Sequence, residues 1–379
     1  MPSTFRRPHW ARLAWAMVLV VIFLALGSHA AMNVWPRAGA RGAEILRRIV
    51  GQRAVAGIEM LALRVEDEIH RASYAARGPG HASIWSHAET ELASAGREPG
   101  WMLSPLPAGG AGGAGVWEPY LQAPGGRVVA LRTFLHPDPG RPYAVAAIVA
   151  FDLTAARLHF VLGSDEPRSP VHVSRPGRIP AADFRPGRLL AAFNGGFKTE
   201  HGHFGAMVAR TLVLPPRPGM GTVAIDAAGG VRLGPWGVAD IPGSAAVAWR
   251  QNGPLIVQDG RVNPHTLVYD PADWGVTVHH AAATWRSALG ISADRAILFY
   301  VAGTSLTLSA LAQAAVDAGA ASALQLDINN YWVHFDAFSA QGGRLKASPL
   351  LAAMRAEEDS RYLTGFGRDF FYLTLAGPG

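Results

Sequence analysis

The sequence predicts an α+β fold: a mixed, twisted β-sheet with packed helices, preceded by an N-terminal membrane helix and a helical stalk. Three observations carry that expectation. Beyond Val116, short apolar runs are divided by Gly and Pro, the texture of many short strands. One clear helical pattern, Leu308 to Ala318, stands between two such runs, and two strands joined through a helix point to parallel pairing. Upstream, a basic segment is followed first by a long apolar run and then by a charged stretch with helical spacing.

Taken in order, Arg6, Arg7 and Arg12 precede LAWAMVLVVIFLAL at residues 13–26, and no Arg, Lys, Asp or Glu stands between Arg12 and Arg37. That order suits insertion with the N-terminus in the cytoplasm. As a helix the strict apolar core is about 21 Å long, short of the ~30 Å hydrocarbon layer. Extension through Ala31 and Trp35 makes a span possible, so residues 1–36 are expected to comprise a basic cytoplasmic tail and a transmembrane signal anchor. Ser28-His29-Ala30 alternatively reads as a cleavage site for a secreted chain. Either route carries the remainder outside the cytoplasm. Residues 37–103 are expected to form a stalk, with helix over 41–77, where Ile58, Leu61, Val65 and Ile69 recur at three- and four-residue spacing. SPLPAGGAGGAG at 104–115 reads as a linker, and 116–379 as the main domain.

Within that domain, strands are expected at Val128 to Phe134, Ala144 to Leu153, Leu158 to Leu162, Leu189 to Phe193, Gly221 to Asp226, Leu255 to Gln258, Ala296 to Val301 and Ala323 to Asp327. Asp226 to Gly230 suits a hairpin turn. Thr307 can cap the 308–318 helix and Gly319 can stop it. The strand-helix-strand unit from Ala296 to Asp327 sets its two strands parallel, with their C-terminal ends on one edge of the sheet. Ligands favour that edge in open parallel sheets.

Composition narrows the function classes. Hydrophobic residues make up 49% of the 379, so the chain folds. There is no Cys, which excludes disulfides and thiolate metal sites. The net charge is +6, yet the only basic cluster lies at the N-terminus, so nucleic acid is not expected as a partner. Lys occurs only at Lys198 and Lys346.

Five motifs and a histidine pair could carry chemistry. FNGGFK ends an apolar strand with Asn194, Gly195, Gly196 and Lys198; it is either a tight turn or the wall of a site that a ligand approaches closely. Glu200 follows. QNGPLIVQDG at 251–260 repeats the form with Asn252 and Gly253. TWRSALGI at 284–291 carries Arg286, whose planar fork matches phosphate or carboxylate oxygens, unless it simply packs on Trp285. LQLDINNYW sets Asp327 at a strand end, before Asn329 and Asn330, as a turn residue or a catalytic carboxylate. Gly303-Thr304-Ser305 precedes the helix N-terminus, whose free amides suit phosphate. His201 and His203 could supply two ligands to a divalent metal, which needs a third from elsewhere, such as Asp327, His279 or His280.

In this order the motifs resemble the phosphodiester glycosidase family, from about Val116 to Leu375. NGGFK at 194–198, QNGPLIV at 251–257, RSALGI at 286–291, GTSLTLSALA at 303–312 and the strand ending in Asp327 carry the resemblance, joined by HPDPGRPYAVA at 136–146. Two positions depart: Lys198 stands where the family usually has a second aromatic, and Ile328-Asn329-Asn330 where it usually has glycines. The resemblance implies an extracytoplasmic hydrolase that cleaves a sugar-1-phosphodiester in a cell-envelope or exopolysaccharide glycan without a cofactor. It implies phosphate held by Arg286 with Lys198 as helper, Asp327 as nucleophile or general base, and Glu200 as a reserve carboxylate. Asn194, Gly195, Gly196, Asn252, Gly253, Thr304, Ser305, Asn329 and Asn330 would line the substrate. Three alternatives stand beside it: a non-catalytic module that binds an anionic glycan, a metal-dependent phosphodiesterase using the histidines, and a structural envelope protein.

Overall fold

The computed structural model describes residues 52–78, 84–85, 101, 103–104, 106, 114–238, 240–268, 282–354, 357 and 360–377. The expected anchor at 1–36 therefore lies outside the described residues, as do His279, His280 and most of the expected linker. Among the described residues no helix is long and apolar enough to cross a membrane.

Two compact units divide the chain, residues 1–69 and 70–379. The described part of the first belongs to helix α1 (Gln52–Arg77), in which Leu61, Val65 and Ile69 are exposed. The second contains eighteen described strands. They are β1 (Glu118–Gln122), β2 (Val128–Leu135), β3 (Val145–Asp152), β4 (Ala156–Val161), β5 (Leu189–Asn194) and β6 (Ala206–Val208). Then come β7 (Thr211–Leu214), β8 (Gly221–Asp226), β9 (Val231–Pro235), β10 (Ala246–Gln251), β11 (Leu255–Gln258) and β12 (Arg261–Val262). The last six are β13 (Thr284–Ile291), β14 (Ile297–Leu306), β15 (Ser322–Gln325), β16 (Phe335–Gln341), β17 (Arg344–Pro349) and β18 (Phe370–Leu375). Helix α2 (Leu308–Asp317) separates β14 from β15, and the single turn α3 (Arg361–Thr364) precedes β18.

This corrects the expected fold class. Among the described residues the chain builds mostly β-structure in three sheets, not one mixed sheet with packed helices. The first sheet runs β1-β2-β3-β14-β13-β15-β11-β12, the second β7-β6-β10-β8-β9 and the third β17-β16-β5-β18-β4. Every strand pair is antiparallel. The physical cause of the misreading is visible in β3. Ala147, Val149 and Phe151 pack into one core, while Ala146, Ile148 and Ala150 pack into another. A strand covered on both faces reads as an unbroken apolar run, the usual mark of a parallel strand, although here it is an antiparallel sheet that is sandwiched. One part of the topological argument still applies. β14 and β15 both pair antiparallel with β13, which lies between them, so they run in the same direction without touching.

The first sheet meets the third across an aromatic cluster. Phe193 of β5 lies 4.7 Å from Tyr300 of β14 and 6.1 Å from Phe335 of β16, ring centre to ring centre. On its other face the first sheet packs on α2 through Leu308, Leu311, Ala312 and Ala315. The start of α2 is capped as its sequence suggests: Thr307 Oγ1 accepts from the Ala310 amide at 3.1 Å. Thr307→Ala is expected to cost about 1 kcal/mol, measured as a shift in the urea midpoint at constant slope.

Candidate functional site

Asn194 ends β5 beside the aromatic cluster, and its amide is fully engaged. Nδ2 donates to Ser287 Oγ at 3.0 Å and to the Gly195 carbonyl; Oδ1 accepts from Tyr300 Oη at 3.0 Å and from the His334 amide. Ser287 passes this order onward. Its own amide donates to the Asp327 carbonyl at 2.9 Å, and its Oγ accepts from the Asp327 amide at 3.2 Å. Asn194 therefore fixes the backbone of the candidate catalytic residue through one hydroxyl.

Asp327 is buried, yet keeps two strong partners. Oδ1 accepts from the Ile328 amide at 2.8 Å, and Oδ2 accepts from Arg368 Nη2 at 2.9 Å. The same Arg368 nitrogen donates to the Gly196 carbonyl at 2.6 Å, so one guanidinium joins NGGFK to LQLDINN. Its Cζ lies 5.1 Å from the centre of the Trp332 ring, and its Nε is buried with no hydrogen-bond partner. Burial, the largest influence, raises the Asp327 carboxyl above its ordinary value, while the charge of Arg368 works against that rise.

A second buried ion pair lies alongside. Arg250 Nε donates to Asp369 Oδ2 at 2.7 Å, and the Arg250 head also holds the carbonyls of Phe197, Phe204 and Gln251. Gly195 and Gly196 make room for this pair. A Cβ on Gly195 would stand 2.6 Å from the Asp369 carbonyl oxygen, and one on Gly196 would stand 3.3 Å from Arg250 Cζ. Neither glycine has positive φ. The close approach that the motif permits is thus made by the protein's own ion pair. Asn252 completes the brace: Oδ1 accepts from the Phe197 amide, and Nδ2 donates to the carbonyls of Gln325 and Leu326, which lead into Asp327. The Gly253 carbonyl accepts from Gly221.

The other sequence candidates are distributed more widely. Successive residues of a strand face opposite sides, so Arg286 and Ser287 diverge. Arg286 is fully buried and donates to the Leu306 carbonyl, Gln325 Oε1 and the Ala282 carbonyl. Burial pushes its guanidinium down to about 9, so it stays charged at neutral pH. Thr304 and Ser305 lie inside β14, on the far side of β13 from Asp327, and Ser305 Oγ meets His70 Nδ1 at 3.1 Å. Lys198 is half-buried at the rim, where Nζ stands 3.6 Å from Glu200 Oε1; His201 Nε2 approaches the same oxygen at 3.7 Å. His203 is exposed, with φ of 50°. Among the described residues no group of three or more His, Asp or Glu side chains could hold a metal ion. Asn329 turns its Oδ1 onto the Tyr331 amide, and Asn330 is half-buried beside it.

Arg368, Asp369, Arg250 and Ser287 escaped the sequence reading, as did Glu166. Glu166 accepts from the Thr199 amide, Thr199 Oγ1 and the Arg168 amide. Burial raises its carboxyl, but those bonds and the charge of Arg368 outweigh it and hold the group below its ordinary value. Signals were present: Arg250 is a lone charge inside an apolar strand, and Arg368-Asp369 stands between Gly-Phe-Gly and the last apolar run.

Residues 187–327 match the phosphodiester glycosidase family. The match runs from the approach to β5 through Asp327; Arg368 and Asp369 lie beyond. No curated protein matches the chain. The solved structures similar to it include the following three. The catalytic domain of zebrafish N-acetylglucosamine-1-phosphodiester alpha-N-acetylglucosaminidase, auto-inhibited by its pro-peptide, is 14% identical, over 66% of this chain and 84% of that one, with a TM-score of 0.39. A hypothetical protein from Synechocystis is 11% identical, over 66% and 63%, with a TM-score of 0.38. A putative exported protein from Burkholderia pseudomallei is 14% identical, over 62% and 74%, with a TM-score of 0.33.

Proposed function

We propose that this phosphodiester glycosidase domain hydrolyses the glycosidic bond of a sugar-1-phosphodiester, with Asp327 and Arg368 at the reacting centre. The observation that carries the reading is the buried Asp327–Arg368 pair, which joins two of the family motifs while leaving Arg368 Nε without a partner. In this reaction the C1–O bond breaks and its electron pair stays on the phosphate oxygen. Water supplies the new C1–O bond, and its proton passes to Asp327 if that residue is the general base. If Asp327 is instead the nucleophile, a glycosyl ester forms first and is then hydrolysed. The products are the free sugar and a phosphomonoester.

A phosphate leaving group needs little protonation, so the demand falls on charge stabilisation. Arg368 suits that role: a guanidinium fork can turn toward phosphate oxygens while still orienting the carboxylate. This moves the phosphate role from Arg286, whose head is turned to protein carbonyls and Gln325, to Arg368. Lys198 would add a second positive charge at the rim. Asn194 and Asn252 would act by holding backbone, with Asn329 and Asn330 flanking the entrance. The basic-then-apolar pattern of residues 1–36 supports a domain held outside the cytoplasm, with an envelope or exopolysaccharide glycan as substrate.

The test is to incubate the purified chain with a panel of sugar-1-phosphodiesters, with and without chelator, and to follow free sugar and phosphomonoester by mass spectrometry. Free sugar insensitive to chelator is the expected result. Product that requires metal would replace this reading with the phosphodiesterase, and saturable binding without product would replace it with the glycan-binding module. Arg368→Gln is expected to lower kcat/KM by about 10²–10³-fold. Because the Arg368 charge pulls the Asp327 pKa down, its loss should move the acid limb of the pH profile to higher pH. An unmoved acid limb would uncouple Arg368 from Asp327.

A further inference from the structure

Three segments of the chain meet at Glu166. Residues 164–166 run against 366–367: the Ser164 amide donates to the Phe366 carbonyl at 3.1 Å, and the Asp165 and Glu166 amides both donate to the Gly367 carbonyl, at 3.1 and 2.8 Å. Gly163 permits this approach, since a Cβ there would collide with the Gly367 carbonyl. The residue after Gly367 is Arg368. The Glu166 side chain turns to a third segment. Its Oε2 accepts from the Thr199 amide and from Thr199 Oγ1, each at 3.0 Å, and from the Arg168 amide at 3.1 Å. Thr199 directly follows Lys198. One carboxylate therefore ties the turn that carries Lys198 to the segment that carries Arg368.

Such a clamp does not need a charge, yet Glu166 holds one in a buried place, with 3% of its surface exposed. Burial raises its carboxyl, but the Thr199 bonds and the charge of Arg368 outweigh that and leave it ionised at neutral pH. Burial also raises the Asp327 carboxyl, and there burial prevails over the same Arg368. Two buried carboxylates thus depend on one guanidinium, while their environments push them apart, the pattern by which a site gives two acids different roles. The neighbouring charges do not relieve this. Arg168 Nε stands 3.4 Å from Glu166 Oε1, but its side chain is 61% exposed and screened by water. Asp369 is paired with Arg250, Lys198 and His201 both approach Glu200, and Asp165 is exposed.

We propose that Glu166 is a positioning residue for the hydrolysis: it holds the Lys198 turn against the Arg368 segment, and its fixed negative charge draws on Arg368 so that Asp327 keeps the basicity a general base or nucleophile needs. Glu166 acts through Arg368 and Lys198 and forms no bond to the substrate. The inference rests on the proposed hydrolysis, so two of its three tests need no turnover.

The full chain is used throughout. Glu166→Gln keeps an oxygen for Thr199 and removes the charge; Glu166→Ala removes both. In hydrogen–deuterium exchange read by mass spectrometry, peptides that contain Thr199 should exchange about tenfold faster in Glu166→Ala, the loss of a hydrogen bond to a charged acceptor, and near the wild-type rate in Glu166→Gln. Unchanged exchange in Glu166→Ala overturns the clamp. If Glu166→Ala does not fold, Glu166→Asp takes its place, because the shorter side chain withdraws the acceptor and keeps the charge.

Thermal unfolding reads the link to Arg368. A carboxyl held below its unfolded pKa stabilises above that value and loses the effect as pH falls through its folded pKa. Glu166→Gln should therefore lower Tm at neutral pH and less in acid, and its effect should shrink in the Arg368→Gln background. Equal losses in both backgrounds overturn the coupling. The third test is the pH profile of kcat/KM. Glu166→Gln should move the acid limb to lower pH, opposite to Arg368→Gln, because Asp327 then has Arg368 to itself. A limb that stays in place or moves to higher pH overturns the role of Glu166 in tuning Asp327. If the wild type turns over no substrate, the hydrolase reading fails, and exchange and unfolding still decide the clamp and the coupling.

Discussion

Asp327→Asn is expected to lower kcat by about 10³-fold or more, within or beyond the range for loss of a general base, while the protein stays folded. Asn retains an oxygen for the Ile328 amide, and Arg368 retains the Gly196 carbonyl. What disappears is the charge. A second consequence follows from the raised pKa of Asp327. A carboxyl whose folded pKa lies above its unfolded value contributes stability below the unfolded value and loses it as pH rises through the folded pKa. The Asn variant lacks this dependence. Its Tm relative to the wild type should therefore improve from acid to neutral pH. Turnover close to that of the wild type would remove Asp327 from the mechanism. A Tm difference that worsened with rising pH would show that the carboxylate is a net stabiliser.

The largest stability effect is expected from Arg250→Met. Its removal leaves Asp369 as a buried charge whose Oδ1 already has no partner, and it frees the carbonyls of Phe197 and Phe204. Breaking a buried pair in this way costs about 3–5 kcal/mol. The double variant Arg250→Met with Asp369→Leu removes both charges and should recover much of that stability, since an apolar pair of similar volume is often no worse than a buried ion pair. Activity should not recover, because the segment from Gly195 to Gly205 loses the head group that gathers its carbonyls. Denaturant unfolding of both variants checks this. A single variant within about 1 kcal/mol of wild type would mean that water reaches the pair.

The two predictions differ in how far their residues could be read in advance. Asp327, Asn194 and Asn252 are polar residues at the ends of apolar runs, and local pattern alone marks such positions as places where a chain leaves a core. Arg368 and Asp369 required contacts that spacing does not encode. Arg368 lies 41 residues from Asp327, and Asp369 lies 173 from Gly196. Each contact exists because the third sheet brings β18 beside β5 in register, Phe370 opposite Asn194. Arg286 shows the converse. Its residue type suited phosphate, but the pleat of β13 turns it toward α2 and gives Ser287 the place facing Asp327. A shift of one residue would have exchanged them.

By itself the sequence determined the strand-rich texture of the domain, the position and capping of α2, the resemblance of residues 187–327 to the phosphodiester glycosidase family, and the strand ends that carry Asn194, Asn252 and Asp327. These depend on local chemistry: apolar runs, a capping hydroxyl, and polar groups where runs stop. The tertiary structure decided that the sheets are antiparallel, that the NGG glycines accommodate an internal ion pair, and that Arg368 rather than Arg286 meets Asp327. Those outcomes depend on which faces are covered and which distant strands align. A continuous apolar strand is compatible with either direction of its neighbours, and only the packing of the first sheet between α2 and the third sheet selects one.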